Sequence, residues 1–437
     1  MLKALNTGVS GMRAEGDAIG VIGDNIANVN TVGFKKQRSI FQDMLGRSIT
    51  QGNSAMLPGS GVTLGKVQNM FEQGTLSSTG VSTDLSLNGE GFFVVKGTVS
   101  GVTGDFYTRA GQFTVDNTGA LVNPGGMKLQ GYTASNPPGT FASALSDVTI
   151  PLNAIPPKVT ANATVVANLD SSSTPPVDSL GIPLAWDPLN PSTTSNHSTS
   201  MTVYDSLGNA HSMDVYFRNA GSNAWEYHAI VSGDEVNPPQ PGRNVEIGSG
   251  TMGFNTSGAL DTLTAGVPAT ANFLNAAPGQ AIAFDFGSTV AGGGTGLDGL
   301  TQFAAKSNTQ QQSQDGYASG DFSGVTVTSQ GVVEGIYTNG QKIPISQLGI
   351  AKFTSNDGLS RANAGLWMQT RESGEPALGS ANSGGRGAIS GGALESSNVD
   401  LAEEFVELIT HQRAFAANSR TITTADEMLQ ETLQLKR

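Results

Sequence analysis

Apolar positions in this chain follow two periods, and the change between them divides it into ends and middle. Toward the C-terminus Leu394, Leu401, Leu408, Phe415, Ile422 and Leu429 recur every seven residues, with Phe405 and Ile409 widening the row. Seven residues are two helical turns, so the row predicts one apolar seam along a helix. No Gly or Pro interrupts it from Ala393 to Arg437. Asp400, with Glu403 three residues on, marks a capped start, and Ser397 competes for that role. The N-terminus mirrors the pattern: Leu2, Leu5, Val9, Met12, Ile19 and Ile26 fall on a and d positions of the same repeat. Two seams need partners, and the candidates are the opposite end and further copies of the chain. An in-chain helical hairpin is the simpler arrangement. Length argues for neighbouring copies, since a helix from Asp400 to Leu435 runs ~54 Å and the N-terminal helix is shorter. That helix also carries Gly8, Gly11, Gly16, Gly20 and Gly23, each costing ~1 kcal/mol relative to Ala. Both ends are therefore expected to be poorly ordered until their seams are buried.

Between the ends, short alternating runs and turn residues predict strands. Asp84–Leu87, Phe92–Val95, Phe113–Val115 and Leu121-Val122 form one series, with a tight turn at Asn117-Thr118-Gly119. The texture returns after about residue 303, where Asn339-Gly340 between Val332–Tyr337 and Lys342–Ile345 is the strongest hairpin signal. Further strand candidates lie at Met201–Tyr204, Met213–Phe217, Glu226–Val231 and Ala281–Phe286. The expected fold is mainly β with terminal helices packing as a coiled-coil-like core. Residues 1–30 and 395–437 form that helical core, and 31–74 an extended connector. Residues 75–150 and 303–394 form a discontinuous inner β domain, into which an outer β domain, 151–302, is inserted.

Composition narrows the chemistry. The 437 residues include 57 Gly, carry only 14% charged side chains and have a net charge of −13. Residues 151–300 hold three basic groups against twelve acidic ones, so there is no basic face for nucleic acid. No apolar run is long enough to span a membrane, and Asn6, Gly8, Arg13, Glu15 and Asp17 break any secretory h-region. Cysteine is absent, which removes disulfides, thiolate metal sites and a cysteine nucleophile. His197, His211, His228 and His411 have no metal-ligand spacing; His211 and His228 read as surface or packed residues. Gly248-Ser249-Gly250-Thr251-Met252-Gly253 matches a dinucleotide fingerprint but opens no helix. No catalytic, cofactor or metal residues are assigned, and an enzyme is not expected.

The run Asn25-Ile26-Ala27-Asn28-Val29-Asn30-Thr31-Val32-Gly33-Phe34-Lys35 resembles the N-terminal signature of bacterial flagellar rod and hook proteins, with Asn25, Asn28, Thr31, Gly33 and Phe34 carrying the motif. Residues Ser397 to Arg437 are similar to the C-terminal end of the hook members of that family. Asp84-Leu85-Ser86-Leu87, Arg109-Ala110-Gly111-Gln112-Phe113, Leu129-Gln130-Gly131-Tyr132 and Tyr204-Asp205-Ser206-Leu207-Gly208-Asn209 agree. Length favours hook over distal rod, which remains the alternative along with an extracellular β-rich adhesin. The resemblance implies a self-assembling helical homopolymer, a flexible hollow tube that transmits torque from rod to filament. It also implies contacts with the distal rod, hook cap, hook–filament junction proteins and flagellar export apparatus, and an extracellular site reached without a cleavable signal. Phe41, Met44 and Leu45 resemble an export recognition segment. Some relatives cross-link through cysteine and lysine; this chain has no cysteine to do so.

Overall fold

A computed structural model describes residues 2–45, 49–51, 54–56, 59–99, 101–135 and 139–434; the side chains of Leu2, Lys3, Leu45, residues 49–51 and 54–56, and Leu433 are outside that description. Two long helices, Leu2–Ala27 and Leu401–Gln434, bracket a chain otherwise built mainly of strands. The helices pack against each other in antiparallel sense, as Gly8 meets Ile422 and Asn25 meets Glu404. The fold is mainly β with paired terminal helices.

Two compact units form. The first comprises Met1–Leu152, Ser323–Ile336 and Lys342–Arg437. Its main sheet interleaves early and late segments: Phe92–Val99 pairs with Val102–Thr108, and Ile350, in the strand Lys342–Lys352, sits opposite Phe93. Aromatic side chains fill the space beneath. Phe92, Tyr107, Phe353 and Trp367 are buried together, with Phe71 packed against Phe92 and Trp367. Two short pairings bring the approach to the C-terminal helix onto this unit, Ala388–Gly391 with Leu85–Asn88 and Ala393–Glu395 with Leu76–Ser78.

Residues 31–74, expected to be an extended connector, fold back on themselves. Gln37–Leu45 and Gly59–Asn69 form a long antiparallel pair, and the Val62 amide donates to Ser10 Oγ of the N-terminal helix at 3.3 Å. The apolar signal was too sparse to show this, because the second strand reads GSGVTLGKVQN and its pairing is held by backbone groups.

The second unit comprises Asn153–Phe322 with Tyr337–Gln341. Five strands, His197–Tyr204, Ala210–Gly221, Ala224–Ser232, Asn244–Phe254 and Leu260–Val267, form an antiparallel meander in chain order. Asn162–Asn168 forms a smaller sheet, parallel to Ala283–Asp285 and antiparallel to Asn308–Gln314. Val215, Phe217, Trp225, Tyr227 and Phe286 belong to one apolar core between them. Residues 303–322, expected in the inner domain, therefore belong to this unit. The strand NTQQQSQ is mostly exposed and has no apolar alternation by which to recognise it.

One turn design closes many hairpins. Asp116, Asn123, Asp178, Asp205 and Asn255 each accept two backbone amides, from the residues two and four positions on. In each case the residue three positions on is a Gly with φ between 76° and 85°. A left-handed residue is needed there, and only Gly adopts it without cost.

Candidate functional site

The first unit ties the two chain ends together at the motif Asn25–Phe34. Asn25 is buried at the end of the N-terminal helix and bonds two other elements with three hydrogen bonds. Its Nδ2 donates to the Gln37 carbonyl at 2.8 Å and to Glu404 Oε2 at 3.0 Å, while its Oδ1 accepts the Gln37 amide at 2.8 Å. Asn28 donates to the Asp24 carbonyl at 2.9 Å and accepts from Thr31 Oγ1 at 3.0 Å, shaping the exit from the helix. Gly33 has φ of 68° and donates to the Glu395 carbonyl at 2.8 Å; a Cβ there would lie 2.5 Å from Ala110 N. Phe34 is buried under the Arg361 guanidinium, 5.0 Å from its ring centre, and Arg361 bonds Asp24 at 3.0 Å. Each motif residue thus fixes the path from helix to sheet.

Behind the motif lies a charged cluster shielded from water. The side chains of Lys35 and Glu395 are fully buried, with Nζ 2.6 Å from Oε1; Arg109 Nη1 lies 3.2 Å from the other carboxylate oxygen. Lys35 also donates to the Glu72 carbonyl at 2.6 Å, Arg109 to the Gly89 carbonyl at 2.7 Å, and the Gly74 amide to Glu395 Oε1 at 3.0 Å. Burial pulls the Lys35 ammonium below its ordinary range, and Glu395 opposes that pull; burial likewise lowers Arg109. Asn398 adds a further tie, accepting the Lys36 amide at 2.7 Å and donating to the Met70 carbonyl at 2.9 Å. Lys35 and Arg109 stood inside the resembling motifs with no role assigned. Asn398 likewise stood unassigned in the run from Ser397, and Glu395 carried no local signal, since its partners lie hundreds of residues away.

Asp400 caps the C-terminal helix, accepting from the Ala402 amide at 2.8 Å and the Glu403 amide at 3.3 Å. Inside the helix pair the N-terminal helix buries Gly8, Gly11, Ala14, Ala18 and Ile22. A Cβ on Gly8 would lie 2.8 Å from Ile422 Cγ1, and one on Gly11 2.6 Å from Asn418 Nδ2. These glycines permit close approach. Gly16, Gly20 and Gly23 have nothing within 4 Å of a built Cβ, and so face open space. Leu5, Val9, Met12, Ile19 and Ile26 are half-buried, and the Leu2 side chain lies outside the described residues.

The C-terminal row divides between two environments. Leu408, Ile422 and Leu429 are half-buried, while Leu401, Phe405 and Phe415 are exposed, as is Ile409. Ala425 and Glu404 are buried instead. Burial raises the Glu404 carboxyl above its ordinary range, although the Asn25 hydrogen bond opposes this. Phe41 and Met44 are exposed, with the Phe41 ring stacked 5.9 Å from His411; the Leu45 side chain is outside the described residues.

The other candidates resolve into packing. Gly248 and Gly250 of the fingerprint-like run lie within a strand, where Cβ atoms would strike Ala269 and Tyr227. His211 stacks on Phe273 and pairs with Asp205 and Glu235; His228 stacks on Trp186 and pairs with Glu246. Among the described residues no group of three His, Cys, Asp or Glu side chains is placed to hold a metal ion, and no helix is long and apolar enough to cross a membrane.

Comparison with known proteins gives this geometry its context. The chain is 33% identical to the flagellar hook protein FlgE of Borreliella burgdorferi over 469 aligned residues, covering all of both chains. It is 34% identical to that of Salmonella typhimurium, covering 98% of each. The chain belongs to the flagellar hook protein family. Family descriptions match in sequence along it: flagella basal body rod protein at 5–35, flagellar hook protein FlgE/F/G D1 domain at 86–167, flagellar basal body protein FlaE D2 domain at 168–317, and flagellar basal body rod FlgEFG protein C-terminal at 390–435. The crystal structure of Helicobacter pylori flagellar hook protein FlgE2 shares the fold, with a TM-score of 0.51 at 16% identity, covering 73% of this chain and all of that one. As a hook-family member the chain is a structural protein of the flagellum and not an enzyme. Both terminal matches include anchor residues, Asn25 and Lys35 in one and Glu395 and Asn398 in the other.

Proposed function

We propose that the chain assembles into the hollow, curved hook tube through its terminal helices, with the apolar row left outside the in-chain pair serving as the contact for neighbouring copies. The observation that carries this reading is the exposure of Leu401, Phe405 and Phe415 along one long helix in a chain that matches hook proteins over its full length. Single exposed apolar residues are ordinary, but a sustained row on one helix marks an interface. The full apolar seam comprises Leu2, Leu5, Val9, Met12, Ile19 and Ile26 with Leu401, Phe405, Leu408, Phe415, Ile422 and Leu429. Ile422 packs near Gly8 within the chain, and the exposed Leu401, Phe405 and Phe415 meet neighbouring copies. The terminal helices form the inner core of the tube and the β domains its outer shells. The chain reaches the cell exterior through the flagellar export apparatus, with Phe41, Met44 and Leu45 in the recognition segment. It meets the distal rod, hook cap and hook–filament junction proteins at the ends of the tube.

Replacing Phe415 with Asp tests the seam, because assembly would bury an unpaired charge. The variant should keep both β units folded by circular dichroism and yield no hooks by electron microscopy. Normal hooks built from Phe415→Asp subunits would end the seam assignment. Cells lacking the chain should carry rods without hooks.

A further inference from the structure

The second unit carries an apolar projection and an apolar groove that a single chain leaves apart. The projection is the turn Val177–Pro183, where Leu180 is 81% exposed, Ile182 57% and Val177 50%. It is held rigidly. Asp178 Oδ1 accepts the Leu180 and Ile182 amides at 2.8 and 2.9 Å, the Asp178 amide donates to the Ile182 carbonyl at 2.8 Å, and Gly181 takes φ of 79°. The one carboxylate of the turn is thereby occupied, and its tip presents aliphatic carbon.

The chain following the turn is pinned to the solvent face of the five-stranded sheet. Trp186 stacks on His228 with ring centres 4.1 Å apart and donates Nε1–H to Glu246 at 2.9 Å; Arg218 donates to the Leu184 carbonyl. Arg218 and His228 alternate with the core residues Phe217 and Tyr227, so they face away from the core. The groove opens on the other side, where the core-facing Tyr227 lines it with Leu263, Ala265, Pro268, Ala283 and Phe284, enclosing about 430 Å³. Its walls include the strands Leu260–Val267 and Ala283–Asp285, each at the edge of its sheet. Exposed edges are usually guarded by charge, yet every side chain lining the groove is uncharged.

We propose that the Val177–Pro183 turn of one copy inserts Leu180 into this groove on the second unit of an adjacent copy, a deepening that rests on the assembly reading above. Two different patches of one unit make a head-to-tail contact, the kind that propagates into an open helical array. Three aliphatic side chains offer roughly a few hundred Å², well below the ~800 Å² per partner of a stable complex. The contact therefore forms where other contacts already hold the copies in place, and breaks readily when the array bends.

The chain has no cysteine, so engineered pairs give an unambiguous readout. Hooks assembled from full-length Leu180→Cys/Ala265→Cys chains, mildly oxidised and run in denaturing non-reducing gels, should give a ladder of dimers, trimers and higher multimers. Neither single substitution should give a ladder, and the dilute double-variant monomer should give none under the same oxidant. Ile182→Cys/Ala283→Cys provides a second pair should the first fail to assemble. Assembled hooks of either pair that cross-link no more than the single variants would overturn the proposal. Dimers from Leu180→Cys alone would also overturn it, since they report a symmetric contact. Failure of the unsubstituted chain to form hooks would remove the assembly reading itself, a result distinct from hooks that form without a ladder.

Discussion

The two β units are held together by different kinds of interior. The second, built mainly from one continuous stretch, encloses Phe217, Trp225, Tyr227 and Phe286 in an apolar core, with the His211–Asp205 and His228–Glu246 pairs packed beside it. The first gathers segments from both ends of the chain and buries Lys35, Arg109 and Glu395 where they converge. Apolar packing is non-directional, so it suffices where local turns already set strand order. Where Gly33, Gly74, Arg109 and Glu395 must meet from distant parts of the sequence, directional bonds select one register. A buried charge cluster is weak evidence for added stability; here its geometry gives it the part of a locator.

The largest expected effects break each interior. Phe217→Ala removes a fully buried ring and should cost the second unit about 3–5 kcal/mol, seen as an earlier denaturant transition in near-ultraviolet dichroism. Glu395→Gln leaves two buried cations without their anion and should cost the first unit about 3–5 kcal/mol. Hydrogen exchange should show the loss at residues 33–37, 72–78 and 393–398, with the second unit unchanged. Arg109→Met should cost less than Glu395→Gln, because it leaves a neutral Lys35–Glu395 pair. Equal losses would show that the cluster does not act through charge.

A smaller pair of substitutions sharpens the contrast between the two faces of the N-terminal helix. Gly11→Leu must displace Asn418 and should destabilise the helix pair by about 1–3 kcal/mol. Gly20→Ala meets open space and should stabilise the isolated chain by up to ~1 kcal/mol. If the open face is a contact between copies, the same alanine should hinder assembly, a divergence that monomer melting and polymerisation rate measure together.

The smallest effect is a pH dependence at the anchor. Glu404 binds its proton more tightly when folded, because burial raises its pKa. Its contribution to stability is fully present below the ordinary carboxylate range and is lost as pH rises through the raised value. Exchange protection around Asn25 and Glu404 should fall over that interval and then level off. Glu404→Gln should flatten the dependence, although Glu403, Glu407 and Lys36 act on the same carboxyl.

The sequence by itself determined both helices, the Asn339-Gly340 hairpin and the apolar rows at the ends, because each is written in residues within a few positions of one another. It left the helix cap between Asp400 and Ser397, and the structure decided for Asp400. The family was equally legible, in the contiguous run Asn25–Phe34 and in the residues after Ser397. Tertiary structure alone decided that Gly8 and Gly11 are contact surfaces while Gly20 faces open space, since propensity treats all glycines alike. It also decided that Asn308–Gln314 closes the second unit, a strand whose register comes from backbone bonds with the distant Asn162–Asn168. The Lys35–Arg109–Glu395 cluster belongs with these. Charged side chains are read from sequence as solvated, and only the convergence of three distant segments excludes the water that would otherwise separate them.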